Sequence, residues 1–175
     1  IEYNGIPPVA IKPPWDGGFT WTKDSNGNHW VSINIQGEGG EMYFPCKDHP
    51  SDEPNEGAEL KITVPSNLVV AGPGLLMSVT TKKNKSTYYW KTNYTISNYC
   101  ILFNIGKYKV AKDVYTTIEG KKVPIEYYVL EVDTAHAKKV IETKIRDSKI
   151  LEKYFGEYPW VKEKIGIAEV PNSGM

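Results

Sequence analysis

From His29 to Asp133 the sequence is written in short runs of alternating side chains, each closed by a turn signal, and this pattern limits the chain to antiparallel β architecture. HWVSINI at 29–35 alternates and is rich in β-branched residues. AELKITVP at 58–65 sets Leu60, Ile62 and Val64 against Glu59, Lys61 and Thr63. NLVVAG and LLMSVTT follow, parted by Gly72, Pro73 and Gly74. STYYWKT at 86–92, YCILFNIG at 99–106, YKVAKDVYTT at 108–117 and IEYYVLEVD at 125–133 complete the series, with NKS, NYTISN and EGKK as turns between them. Successive side chains of a strand point to opposite faces, so each run has one face to bury. With no helical pattern between the runs, neighbours pair antiparallel. The expected fold is mainly β, an antiparallel sandwich or saddle of several short sheets.

The period changes after Asp133. Ala137, Val140, Ile141, Ile145, Leu151 and Phe155 fall at helical spacing, with Lys138, Lys139, Glu142 and Lys144 mostly on the other face. Asp133 or Thr134 can cap the start by accepting a backbone N–H, Gly156 suits the left-handed residue that ends a helix, and Pro159 prevents its resumption. The spacing predicts one amphipathic helix at 134–156, packed on a β part at 1–133 and followed by an extended segment and loop at 157–175, in a single domain. Within the β part, the first 57 residues are dense in Pro, Gly and Asp yet carry Trp15, Phe19, Trp21, Tyr43 and Phe44. They are read as structured loops rather than a linker.

Composition excludes some functions. Lys+Arg and Asp+Glu both number 21, so there is no basic excess of the kind that neutralises a phosphate backbone, and no nucleic-acid partner is expected. No run of about 18 apolar residues is present to span a membrane as a helix. Cys46 and Cys100 form no short-spaced pair, and two thiols are expected rather than a disulfide.

Read singly, the polar residues assemble no active site. His29, His49 and His136 stand far apart, and none has a partner at i+3 or i+4 to make a helical zinc pair. The acidic residues Asp48, Asp52, Glu53, Glu56 and Glu59 sit in a turn-rich segment, where they shape backbone. GEGG at 37–40 is not followed by a helix that could present N–H groups to a phosphate, and reads as a bulge or tight turn. No catalytic residue and no metal ligand is assigned within the chain.

Taken in order, the loops are more specific. PPWDGGFTW leads to NIQGEGGEMYFPCKDHPSDEP, then ELKITVP and LVVAGPG, and later LEKYFGEYPW and IAEVPNSGM. This succession covers nearly the whole chain and resembles the amino-terminal domain of the zinc aminopeptidases of the aminopeptidase N and leukotriene hydrolase type. The terminal Ser173-Gly174-Met175 is similar to the first part of that family's Gly-x-Met-Glu-Asn exopeptidase motif, with Ser173 where Gly is usual. The resemblance implies a chain cut one residue before the motif's glutamate, a fragment of a longer enzyme that removes N-terminal residues from peptides. It implies zinc in the parent enzyme, held in a second, catalytic domain of the same polypeptide by H-E-x-x-H and a downstream Glu. There the metal would polarise the scissile carbonyl and activate water. Neither ligand motif occurs here, so the fragment itself is expected to be inactive.

The resemblance carries over two contacts with the peptide substrate. A residue nine positions before the Pro of F-P-C lines the family's pocket for the substrate's free amine. It is commonly Glu, and here it is Gln36, whose carbonyl oxygen can accept from an ammonium group. Glu38 is a weaker substitute. The backbone of Ser173, Gly174 and Met175 would run beside the substrate main chain, where Gly174 leaves room for it. Two other readings stand beside this one. One is an independent β-sandwich binding module for a carbohydrate or protein ligand, with Trp15, Trp21, Trp30 and Trp90 as stacking faces; the other is an inactive family member serving as an interaction domain.

Overall fold

A computed structural model describes residues 1–47, 49 and 51–171. The strands are β1 (Gly18–Lys23), β2 (His29–Asn34), β3 (Glu59–Pro65), β4 (Val69–Ala71), β5 (Leu75–Lys82), β6 (Lys85–Lys91), β7 (Asn104–Gly106), β8 (Tyr108–Thr116), β9 (Lys122–Leu130) and β10 (Ile165–Ala168). The helix α1 (Ala137–Phe155) lies between the last two. The strands form three small sheets, in the orders β1-β2-β7-β4, β3-β6-β5 and β10-β9-β8. The chain is thus mainly β with one helix near its carboxyl end, as the alternating runs predicted.

The alternation is converted into burial most clearly in β6. Ser86, Tyr88 and Trp90 are buried while Thr87, Tyr89 and Lys91 are only partly covered. Tyr88 and Trp90 join Val64, Leu68, Val70, Tyr108, Tyr128 and Leu130 in a core to which strands of all three sheets contribute. Each such side chain is worth about 1.5–3 kcal/mol when removed from water. A second core lies under α1, where Ile141 meets Tyr115, Val123, Ile125, Val129 and Ile165. A third gathers Phe19, Val31, Ile33 and Ile35, with Phe103 and Tyr43 packed against it.

Several expectations are corrected. Residues 18–23, read as loop, form β1 and pair with β2 from Gly18↔Asn34 to Lys23↔His29. The turn glycines and prolines around GGFTWTK concealed its alternation of Phe19 and Trp21 with threonine. The run at 99–106 keeps only three strand residues, because a 3-10 turn at Asn98–Cys100 takes its start. A 3-10 stretch at Glu131–His136 precedes α1, so neither Asp133 nor Thr134 caps the helix, and the N-cap His136 makes no side-chain cap bond. The helix ends at Gly156 as predicted, its N–H bonded to the Glu152 carbonyl, but with φ +84° and ψ −175° that residue takes an extended positive-φ conformation open to glycine rather than the left-handed helical one. β10 pairs parallel to β9, from Ile165↔Ile125 to Ala168↔Tyr128. That is the one parallel pair among the named strands, and α1 supplies the long crossover that parallel pairing requires.

The helix face also departs from the prediction. Ala137, Ile141, Ser148 and Glu152 are its buried residues, whereas Leu151 and Phe155 are 50% and 82% exposed. Glu152 is only 6% exposed. It is held there because its carboxylate accepts from the Tyr115 hydroxyl at 2.7 Å, the Ile118 N–H at 2.7 Å and the Tyr158 N–H at 2.8 Å. Burial first, and then that carboxylate, hold the Tyr115 phenol protonated well above its ordinary range. One side chain thereby ties α1 to the β8–β9 hairpin and to the segment after the helix.

Candidate functional site

Gln36 lies just past the end of β2, where the strand turns away from its sheet. Ile35 is buried, and its carbonyl accepts from the N–H groups of Glu38 at 3.1 Å and Gly39 at 2.9 Å. Gly37 at φ +80° and Gly39 at φ +128° supply conformations that side-chain-bearing residues rarely adopt. The GEGG segment is therefore a tight turn, as predicted, and it runs into a 3-10 turn at Gly40–Met42. Gly40 is packed closely: an added Cβ would lie 2.8 Å from the Phe44 ring and 3.0 Å from the Asn98 carbonyl oxygen.

The turn borders a cavity of about 400 Å³, lined in part by Gly37, Glu38, Glu41, His49, Asn98 and Tyr99. Its far wall is fixed by polar contacts. The Asn98 amide donates to Asp52 Oδ2 at 2.9 Å, and Lys47 pairs with Asp52 at 3.6 Å. The Ser51 hydroxyl and His49 Nδ1 are 2.8 Å apart. Asn34, two residues before Gln36 at the end of β2, is buried and donates to the Thr20 hydroxyl at 2.8 Å, which ties the end of β2 to β1. Gln36 itself is half-buried at the head of this turn. Glu38 is exposed, and its carboxylate lies over Gly17, where an added Cβ would collide with it.

Ser173, Gly174 and Met175 lie outside the described residues, as does Asp48. The chain leading toward the first three is well held: the Glu169 N–H bonds to the Tyr128 carbonyl at 3.0 Å, directly after β10. The four tryptophans proposed as stacking faces do not share one surface. Trp90 is fully buried and Trp30 partly so, while Trp15 and Trp21 are open and Trp21 stacks on Phe19. No disulfide joins Cys46 and Cys100. Among the described residues no group of three or more His, Cys, Asp and Glu side chains is placed to hold a metal ion. None of the helices is long and apolar enough to cross a membrane, among the described residues.

Lys164 is the polar residue whose role the sequence concealed. Only 9% exposed, it donates from Nζ to the carbonyls of Gly72, at 3.1 Å, and Gly74, and it lies 4.4 Å from the centre of the Trp90 ring. Burial pulls its pKa down to about 8, against the pull of Glu126 and Glu163. Nothing in VKEKIGIA distinguishes Lys164 from the neighbouring Lys162. Glu152 did leave a signal, since it falls on the stripe through Ile141, Ile145 and Ser148.

No family model matches the sequence, and a comparison with curated proteins gives no match. Solved structures do match. An M1 zinc metallopeptidase mutant from Deinococcus radiodurans, bound to the substrate Tyr-Ser-Ala, shares 20% identity at a TM-score of 0.65 and aligns with 89% of this chain and 34% of its own. A two-domain M1 zinc metallopeptidase bound to L-arginine aligns with 97% of this chain and 38% of its own, at 20% identity and a TM-score of 0.71. Legionella pneumophila aminopeptidase A in complex with aspartic acid aligns with 85% of this chain and 17% of its own, at 19% identity and a TM-score of 0.64. The chain spans well under half the length of these structures. It has the fold of a section of these metallopeptidase structures.

Proposed function

We propose that this chain is the non-catalytic, cleft-forming amino-terminal domain of a zinc-dependent aminopeptidase that removes N-terminal residues from peptides. The observation that carries the reading is a fold likeness over 97% of this chain and only 38% of a two-domain metallopeptidase. The succession in sequence of the segments around Gln36, FPCKDHPSDEP and YFGEYPW supports it. On this reading the catalytic domain of the same polypeptide is the chain's partner and holds the zinc. When bound there, the metal would polarise the scissile carbonyl and activate water.

This chain's own part is to hold the peptide. The Gln36 carbonyl oxygen accepts from the substrate's ammonium group, and the turn built on Gly37 and Gly39 sets where that oxygen stands. Ser173, Gly174 and Met175 present backbone to the substrate main chain. A hydrogen bond to a charged group is worth about 1.5–3 kcal/mol. Gln36→Ala in the full-length enzyme should therefore lower kcat/KM for aminoacyl p-nitroanilides by about tenfold or more. Unchanged kinetics would remove Gln36 from the site. The isolated 175-residue chain, supplied with zinc, should not hydrolyse the same substrates, and clear turnover would overturn the division of labour.

A further inference from the structure

Among the described residues the three sheets end in six strand edges, and five of them are protected. Lys109, Lys112 and Asp113 put charge along β8, and Glu59 and Lys61 do so along β3. β4 and β10 are only three and four residues long. β1 is covered by the stretch before it, where the Phe19 N–H bonds to the Pro8 carbonyl at 2.7 Å and the Ala10 N–H to the Phe19 carbonyl at 3.0 Å. Charge, shortness and cover are common ways of keeping an edge from pairing with another chain. β5 has none of them. It is eight residues long, carries no ionisable side chain from Leu75 to Thr81, and no described segment pairs with its outer edge. A bulge at Met77 bends the strand locally but leaves Ser78 to Lys82 in regular register with β6. Leu76 and Val79 stand opposite Trp90 and Tyr88, so they lie on the face of the sheet that builds the core, yet with Met77 they are 40–51% exposed. The inner face of this sheet thus runs on past the rest of the described chain.

The edge is complementary to itself. Thr80 stands opposite Thr87, and Thr87 opposite Thr63, with the hydroxyl oxygens of Thr63 and Thr87 2.8 Å apart. A row of three threonines therefore crosses the sheet and stops at the open edge. An antiparallel copy centred on Thr80 continues the row: Thr80 meets the partner's Thr80, Val79 meets the partner's Thr81, and Ser78 meets the partner's Lys82. Threonine pairs across strands are favourable, whereas like charges directly opposite are not. No like charges meet in this register, because the hairpin tips that carry Lys82, Lys83 and Lys85 go to opposite ends of the antiparallel pair. We infer that two copies of this chain pair along β5 about a two-fold axis at Thr80, joining their sheets into one of six strands in the order β3-β6-β5-β5-β6-β3. The contact is isologous, so it closes at two copies and leaves no β5 edge free. It goes beyond the aminopeptidase reading and does not depend on it. An edge contact of this size belongs with the small, transient interfaces, with a Kd of about 10–100 μM.

The test is sedimentation equilibrium of the full-length protein. Between about 1 μM and about 300 μM the molar mass should climb from one chain toward two. Thr80 is exposed, so Thr80→Lys leaves the core untouched, and it sets two ammonium groups opposite each other on the axis. It should weaken the dimer about tenfold or more, and Thr80→Glu should do the same. An equimolar mixture of the two variants should regain wild-type association, because each charge then meets its opposite across the axis. A wild-type protein that stays at one chain throughout, its edge left to solvent or taken by another segment of the polypeptide, overturns the inference. So does a mass that keeps rising past two chains, a Thr80→Lys variant that dimerises as wild type does, or a mixture that stays monomeric. The wild-type measurement needs no variant to fold.

Discussion

Glu152→Ala should cost about 4 kcal/mol of stability, a large share of what a domain of this size possesses. The carboxylate takes three donors at 2.7–2.8 Å, from Tyr115, Ile118 and Tyr158. Truncation leaves the Tyr115 hydroxyl and two backbone N–H groups without that acceptor in a place only 6% exposed. Unmade bonds of this kind cost about 1–3 kcal/mol each, and the loss is tempered because a charge no longer has to be buried. Glu152→Gln keeps the size and one acceptor oxygen, and should lose about half as much. Urea unfolding measures both. An alanine variant within about 1 kcal/mol of wild type would mean that water replaces the carboxylate and that the cluster contributes little.

The second expected result concerns pH. Stability should rise by about 1 kcal/mol between about pH 7 and pH 9, and the rise should vanish in Lys164→Met. Burial favours the neutral amine, and takes the folded-state pKa from the ordinary 10.5 down to about 8. Between those values the unfolded chain holds more protons than the folded one, so removing protons favours the fold. The group therefore costs stability at neutral pH, by about 3 kcal/mol if the whole shift is expressed. Its bonds to Gly72 and Gly74 and its place over Trp90 offset part of that cost. Burial raises the Cys100 thiol, which works in the opposite direction above its ordinary value of 9.0, but it is common to both proteins and cancels in the comparison. Melting temperatures of wild type and variant that run parallel from neutral to alkaline pH would show that Lys164 keeps an ordinary pKa when folded.

The strands from β3 onward were legible because alternation is a property of consecutive residues: Leu60, Ile62 and Val64 declare a buried face without knowledge of what covers it. β1 was hidden because its flanking glycines and prolines satisfy turn and strand equally well. The parallel pairing of β10 was hidden for a different reason, since the identity of a strand's partner is set by a crossover, not by local pattern. Gln36 could be singled out only through the succession of motifs around it in sequence, and its turn was readable from Gly37 and Gly39. Lys164 and Glu152 belong to a third kind. A buried charge is made tolerable by carbonyls or N–H groups that arrive from distant parts of the chain, and Gly72 and Ile118 carry no mark of that role in sequence.

The register of β10 makes the chain asymmetric in its tolerance of added length. Ile165 to Ala168 are held opposite Ile125 to Tyr128, with Ile165 seated in the core beneath the helix. A residue inserted in the exposed turn between Pro159 and Trp160, past the bonds made by Glu157 and Tyr158, can bulge outward, so everything from Ile165 onward stays in place. A residue inserted between Ile165 and Glu169 has no such outlet. It would either turn the inward side chains out or slide the chain beyond by about 3.3 Å, the length of one strand residue. That one exposed turn is therefore a slack joint, whereas the strand itself works as a ruler for whatever follows.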